Sequence, residues 1–176
     1  MEYKSVANTS LIVLHDNHNP ILEIAQRYVA KGWAVTPVQF RTKRPILKNW
    51  QGGIPAGSLA HHFGSDPVNI GIVLGDPSQG LVDIDIDDPI ALQFVEKFLP
   101  DTTCVFGRRS MPKSHWIYRV PSTGKREAFV ISGKTIAELR GNGLLTVFRV
   151  PSIPQVSRSN SSRGLMVNPG WLIGKI

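Results

Sequence analysis

The sequence predicts an α+β domain built on a mixed or antiparallel sheet, and three observations lead there. Two stretches carry helical periodicity with capping residues at their starts. From about residue 102 onward, short apolar-alternating runs follow one another, separated by Gly, Ser and Lys. Strands that are mostly neighbours in sequence, rather than alternating with helices, favour antiparallel pairing over a parallel sheet. The 176 residues with 41% hydrophobic content suffice for one domain with a real core and too few for two comfortable ones.

Asn19-Pro20 opens the first helical pattern as N-cap and first-turn proline, with Ile21, Leu22, Ile24, Ala25, Tyr28 and Val29 as its apolar stripe. Gly32 stops it. A short strand is expected over 33–38, then a basic, proline-interrupted loop over 41–50 (RTKRPILKNW). The run 69–75 (NIGIVLG) reads as a buried strand, and the turn residues 76–80 lead to a strand over 81–87. Asp88-Pro89 caps a second helix with Ala91, Leu92, Val95, Phe98 and Leu99 on its apolar face, ended by Pro100. Strands are expected over 102–106, 115–120, 128–131, 136–139 and 144–148. Trp33, Trp50 and Trp116 are read as core or loop anchors, with Trp116 leading as a base-stacking surface because it adjoins His115.

A net charge of +7 and a pI near 9.9 favour polyanionic partners such as nucleic acid or nucleotides, although a soluble basic domain has the same balance. The single cysteine, Cys104, excludes an internal disulfide framework and a multi-thiolate zinc site. No run approaches ~20 continuous apolar residues, and the start lacks the form of a signal peptide, so a cytoplasmic location away from membranes is expected. His15 with His18, and His61 with His62, lack the third ligand a zinc site needs and are read as structural or solvent-facing.

Three segments carry chemistry. In GLVDIDIDDP, period-two alternation puts Asp83, Asp85 and Asp87 on one face of a strand, and Val82, Ile84 and Ile86 on the other. Carboxylates along one face repel, and strand propensity disfavours aspartate. Mg²⁺ or Mn²⁺ would remove the repulsion, since both prefer carboxylate oxygens. A solvated acidic edge strand is the alternative. In GRRSMPKSHWIYRV, Arg108, Arg109 and Lys113 lead to Ser114 and His115, where imidazolium and guanidinium groups can donate to phosphate oxygens. In IAELRGNG, Glu138 is a third carboxylate beside Arg140 and a tight turn. Lys43, Arg44 and Lys48 form a basic loop that could follow a nucleic-acid backbone or simply be solvated.

The order of these segments, with their flanks, resembles the bifunctional DNA primase–polymerase (prim-pol) N-terminal domain of the archaeo-eukaryotic primase superfamily. The likeness covers roughly residues 25–148. It is carried by AQRYVAKGWAVTPV with KRPILKNW, the glycine-containing strand NIGIVLG, the acidic motif GLVDIDIDD, the Ser-His motif KSHWIY and the third acidic motif AELRGNG. The resemblance implies an RRM-like primase palm with a mixed or antiparallel sheet, packed beside a small α/β lobe. It places the metal-holding, catalytic carboxylates at Asp85, Asp87 and Glu138, with Asp83 as the alternative ligand.

By the same likeness, Ser114, His115 and Arg140 would bind the nucleotide, while Arg108, Arg109, Lys113, Lys43 and Arg44 would contact DNA. Two Mg²⁺ or Mn²⁺ ions would serve addition of an NTP or dNTP to a 3′-hydroxyl on single-stranded or template-primer DNA, often beside a helicase in a longer chain. The competing functions are a noncatalytic nucleic-acid-binding remnant and a DxD-type glycosyltransferase, the latter leaving the Ser-His and Glu-Leu-Arg-Gly segments unexplained.

The expected organisation is an N-terminal extension over 1–18, a catalytic domain over 19–148 and a divergent tail over 149–176. The family continues with a segment of the type Pro-Gly-Ser-x-His-Pro-Ser-Gly-Glu, where this chain has RVPSIPQVSRSNSS. With suitable codons, that text read one base earlier gives Pro-Gly-Ser-Ile-His-Pro-Ser-Gly-Glu-Pro. A one-base loss just after the Phe148 codon would account for it, and on that reading the chain is a truncated remnant.

Overall fold

The computed structural model describes residues 19–64 and 67–148. In chain order it contains α1 (Pro20–Ala30), β1 (Val35–Gln39), α2 (Leu59–Phe63), β2 (Val68–Val73), β3 (Leu81–Ile86), α3 (Pro89–Phe94), β4 (Val105–Arg108), β5 (Met111–Arg119), β6 (Arg126–Ile131), β7 (Lys134–Arg140) and β8 (Leu145–Phe148), with short 3-10 turns between them. The strands form two antiparallel sheets, one of three strands in the order β1-β2-β8 and one of five in the order β4-β5-β3-β7-β6. The α+β class is therefore as expected, and every described strand pairing is antiparallel. The tail over 149–176, with its proposed frame shift, and His15 and His18 lie outside the described residues.

Both ends of α1 follow from sequence. The Asn19 side chain accepts from the backbone N–H groups of Ile21 and Leu22 at 3.1 and 3.0 Å. At the other end Gly32 takes a left-handed φ of 76°, and the N–H groups of Gly32 and Trp33 return to the carbonyls of Val29 and Tyr28 in a Schellman arrangement. The Asn19 amide also donates to the carbonyls of Phe63 and Gly64 at 2.7 and 2.9 Å, fastening the end of α2 to the start of α1.

Two cores sit on different faces. The larger lies against the three-stranded sheet, where Val35, Ile70, Ile72 and Leu74 pack with Ala25, Tyr28, Trp33, Leu59 and Phe63. Leu81 and Ile117 from the five-stranded sheet join this cluster, so the two sheets share a core. The smaller gathers Ile86, Val95 and Trp116 with Ile84, Ala91, Leu92 and Leu99, covering the face of β3 that carries isoleucines. The aspartate face is thereby turned away from α3.

Several expectations are corrected. The helix α2 was not anticipated, because five residues are too few to show a period; Leu59 and Phe63, one turn apart, are its buried pair. The strand β3 stops at Ile86, since the N–H groups of Asp87 and Asp88 both turn to the Ile136 carbonyl and Asp88 then caps α3 through Ile90 and Ala91. After Phe94 the second helix tightens to a 3-10 turn over Val95–Lys97, which rotates Phe98 out of the apolar face and leaves it 80% exposed. The strand β5 begins at Met111, inside the stretch read as a basic loop, because it forms a tight hairpin with β4.

The Asn19 side chain closes both a helix start and a helix–helix junction. Asn19→Ala is expected to lower unfolding free energy by about 1–2 kcal/mol, read as a reduced urea midpoint at unchanged m-value.

Candidate functional site

The site is set by antiparallel register on the aspartate face of the five-stranded sheet. Central strand β3 runs between β5 and β7, and Asp85 is paired with His115 on one side and Glu138 on the other. Phe106 on β4 and Ala128 on β6 complete that row. The next row runs Ile117, Asp83, Arg140, Arg126. Residues paired across strands share a face, so Asp85, His115 and Glu138, separated by up to 53 positions in sequence, become direct neighbours.

Hydrogen bonds then tie the two rows together. The His115 Nδ1 atom lies 3.1 and 3.3 Å from the two Asp83 carboxylate oxygens and 3.4 Å from Asp85 Oδ1. Arg140 Nη1 reaches Asp85 Oδ2 at 3.2 Å and Asp83 Oδ2 at 3.5 Å, while its Nη2 donates to the Leu145 carbonyl at 2.7 Å. Asp83 is fully buried, whereas the Asp85 side chain retains 15% exposure. Burial holds the Asp85 carboxyl above its usual range, reinforced by Asp83 and Asp87 and opposed by His115 and Arg140. Glu138 goes the other way. Its hydrogen bond from Arg126 lowers it below the usual range, with Arg140 and Lys43 adding to the effect.

A cleft of roughly 200 Å³ opens beside these rows, lined by Lys43, Pro45, Trp50, His115, Arg140 and the run 143–147. It lies between the aspartate face of one sheet and the free edge of β8, and Lys43 and Arg140 are the charged side chains of a largely apolar lining. Phe106 stacks on the His115 ring, with centroids 4.7 Å apart and planes 12° from parallel, and in turn meets Phe148 at 4.2 Å.

The residues singled out from sequence fall into distinct places. Asp83, Asp85, His115 and Arg140 are brought into contact, and Glu138 shares the Asp85 row. Asp87 lies one residue past the strand and is exposed. Ser114 is buried on the opposite face of β5, on the side of Trp116, so the strand does not present it with His115. Trp116 is a core residue whose indole N–H donates to the Lys113 carbonyl at 2.7 Å, not a stacking surface for the cleft. Lys43 lines the cleft, Arg44 is exposed in the loop before Pro45, Arg108 ends β4 with its guanidinium 3.4 Å from Met111 Sδ, Arg109 is exposed in the β4–β5 turn, and Lys113 pairs with Glu96.

Arg126 and Phe106 were not singled out. Only the β6–β7 hairpin register, which puts Ala128 opposite Glu138, could have pointed to Arg126. Among the described residues no three His, Cys, Asp or Glu side chains are already drawn together as a metal cage. His61 and His62 contact each other edge-on and gather no further ligand.

The raised Asp85 carboxyl has a definite consequence for stability. Because the folded state holds this proton more tightly than the unfolded chain does, Asp85 detracts from stability as pH climbs from the ordinary carboxylate range through its folded value. Asp85→Asn is therefore expected to raise the melting temperature of the metal-free protein at pH 7, with the gain vanishing toward pH 3; thermal scans across that range check it.

No helix among the described residues is long and apolar enough to cross a membrane. Comparison with curated proteins finds no match. The sequence model for the bifunctional DNA primase/polymerase N-terminal domain, Prim-Pol, matches residues 25–169, spanning both sheets, the aspartate face and the cleft, and running on into the stretch read as divergent. The chain belongs to the bifunctional DNA primase/polymerase (prim-pol) N-terminal domain family.

Proposed function

We propose that this domain adds nucleotides to a 3′-hydroxyl on a DNA template, with the aspartate face as its catalytic surface. The observation that carries the reading is the single row His115–Asp85–Glu138 across three adjacent strands, beside a cleft lined by Lys43, His115 and Arg140. Acidic and cationic groups side by side suit phosphoryl transfer, where ions sit on carboxylates and phosphates sit on donors.

The carboxylates Asp85, Asp87 and Glu138 would hold divalent cations. Their oxygen donors suit Mg²⁺ or Mn²⁺, which keep several waters and need no closed protein cage. Such ions, when bound, acidify the attacking hydroxyl and offset charge on the departing pyrophosphate. His115, Arg140 and Lys43 would orient the triphosphate by donating to its oxygens, and Arg140 would have to ease its hold on Asp85 to do so. Arg108, Arg109, Lys113 and Arg44 lie on exposed surface from which they could contact DNA backbone.

A second reading is a binding module without turnover. It is favoured by one feature: Asp83, Asp85 and Glu138 each already have an arginine as partner. That charge balance needs no ions.

Incorporation of labelled dNTPs or NTPs on single-stranded DNA with Mg²⁺ or Mn²⁺ separates the two. The wild-type chain is expected to incorporate, and Asp85→Ala/Asp87→Ala to lose about 10³-fold or more in rate, as removal of several kcal/mol of metal-mediated stabilisation implies. Incorporation that survives the double substitution rules out the proposed site. DNA binding with no incorporation by either protein favours the second reading.

A further inference from the structure

We propose that Asp83 is a positioning residue for His115, a buried carboxylate that accepts from Nδ1–H and aims Nε2 at the ligand in the cleft. The inference deepens the nucleotide-binding reading of His115 and rests on it.

Asp83 is the carboxylate nearest the ring, with oxygens 3.1 and 3.3 Å from Nδ1, against 3.4 Å for Asp85. A carboxylate only accepts, so the nitrogen that faces it must carry hydrogen. That turns Nε2 toward the cleft, where it donates to a phosphate oxygen when the ring carries hydrogen on both nitrogens. Asp83 is also poorly placed as a cation ligand. It has no solvent exposure and lies one row in from Asp85, beside Ile117, whereas Mg²⁺ sheds its waters reluctantly. Two further contacts brace the pair. Arg140 reaches Asp83 from β7, and Phe106 stacks against the imidazole from β4. The ring is thus fixed in rotation by a carboxylate at one nitrogen and an aromatic plane against its face, the arrangement by which a supporting residue sets the tautomer and aim of a working histidine.

The test compares Asp83→Asn, which keeps an acceptor for Nδ1–H, with Asp83→Val, which removes it while suiting a buried strand. In ¹⁵N-histidine-labelled, metal-free protein, at a pH where the ring is neutral, His115 is expected to carry its proton on Nδ1 in the wild type and in Asp83→Asn. In Asp83→Val the proton is expected to shift toward Nε2. In nucleotide incorporation, Asp83→Val should raise the nucleotide KM about 10- to 100-fold, Asp83→Asn should restore most of it, and the Mn²⁺ concentration for half-maximal rate should stay near the wild-type value in both.

A neutral wild-type ring with its proton on Nε2 overturns the proposal, as does a Mn²⁺ requirement raised in Asp83→Asn, which would make Asp83 a metal ligand. The spectrum needs neither metal nor turnover, so it judges Asp83 even where nucleotidyl transfer itself is refuted. The wild-type and Asp83→Asn spectra decide the matter if Asp83→Val does not fold.

Discussion

A carboxylate with no solvent exposure, Asp83, sits in the middle strand of the five-stranded sheet, and much of the surrounding arrangement can be understood as the means of tolerating it. Leaving such a group charged and unpaired costs about 3–5 kcal/mol, comparable to a large part of a domain's net stability. The neighbouring strands supply the compensation, His115 from β5 and Arg140 from β7. Both can do so only in one register. A slip of one residue in either strand would carry the partner side chain to the α3 face and bring Trp116 or Leu139 against the aspartate. The electrostatic requirement and the apolar requirement of the Ile84–Ile86–Trp116 core therefore select the same pairing.

The same arginine links the sheets. Arg140 spends one nitrogen on the two aspartates and the other on the Leu145 carbonyl, at the free edge of β8. The turn between β7 and β8 is anchored by Asn142, whose side chain accepts from the Asp76 N–H at 2.8 Å and donates to the Asp76 carboxylate at 3.0 Å and the Thr123 carbonyl at 3.1 Å. This close approach explains Gly75. Its φ is 84°, and a Cβ there would lie 1.8 Å from the Asn142 side-chain oxygen. The cleft is thus bounded by a fixed turn and a charge-anchored strand edge.

Local signals in the sequence located most of this. Asn19-Pro20 and Gly32 bounded α1, Asp88-Pro89 capped α3, and alternation placed Asp83 and Asp85 opposite Ile84 and Ile86. What local pattern could not give was pairing between distant strands. Arg126 became a partner of Glu138 only through a hairpin register, and Phe106 reached His115 only because β4 and β5 turn back on each other. Ser114 illustrates the converse. Adjacent to His115 in sequence, it stands on the other face of the sheet, because neighbours along a strand point apart. The end of α3 failed for a different reason. A switch from α to 3-10 geometry changes the angular step per residue, so Phe98, in phase with an ideal helix, emerges into solvent.

The distribution of cost across the sheet separates stability from function. The α3 face is conventional, with aliphatic and aromatic side chains that gain from burial. The opposite face holds carboxylates in positions where burial raises Asp85 and only borrowed cations make Asp83 and Glu138 comfortable. A strand selected for stability alone would replace Asp83 and Asp85 with valine or isoleucine and release His115 and Arg140 from their pairings. Retaining three carboxylates there, each with a guanidinium in contact, produces a surface of paired charges, and a divalent ion bound as proposed would have to compete with Arg126 and Arg140 for the same oxygens. Such competition would tie ion binding to freeing of guanidinium groups beside the cleft. Guanidinium groups released in that way would be the donors an incoming polyphosphate requires, so on the proposed reading the pairings of the free protein hold in reserve the contacts a nucleotide would use.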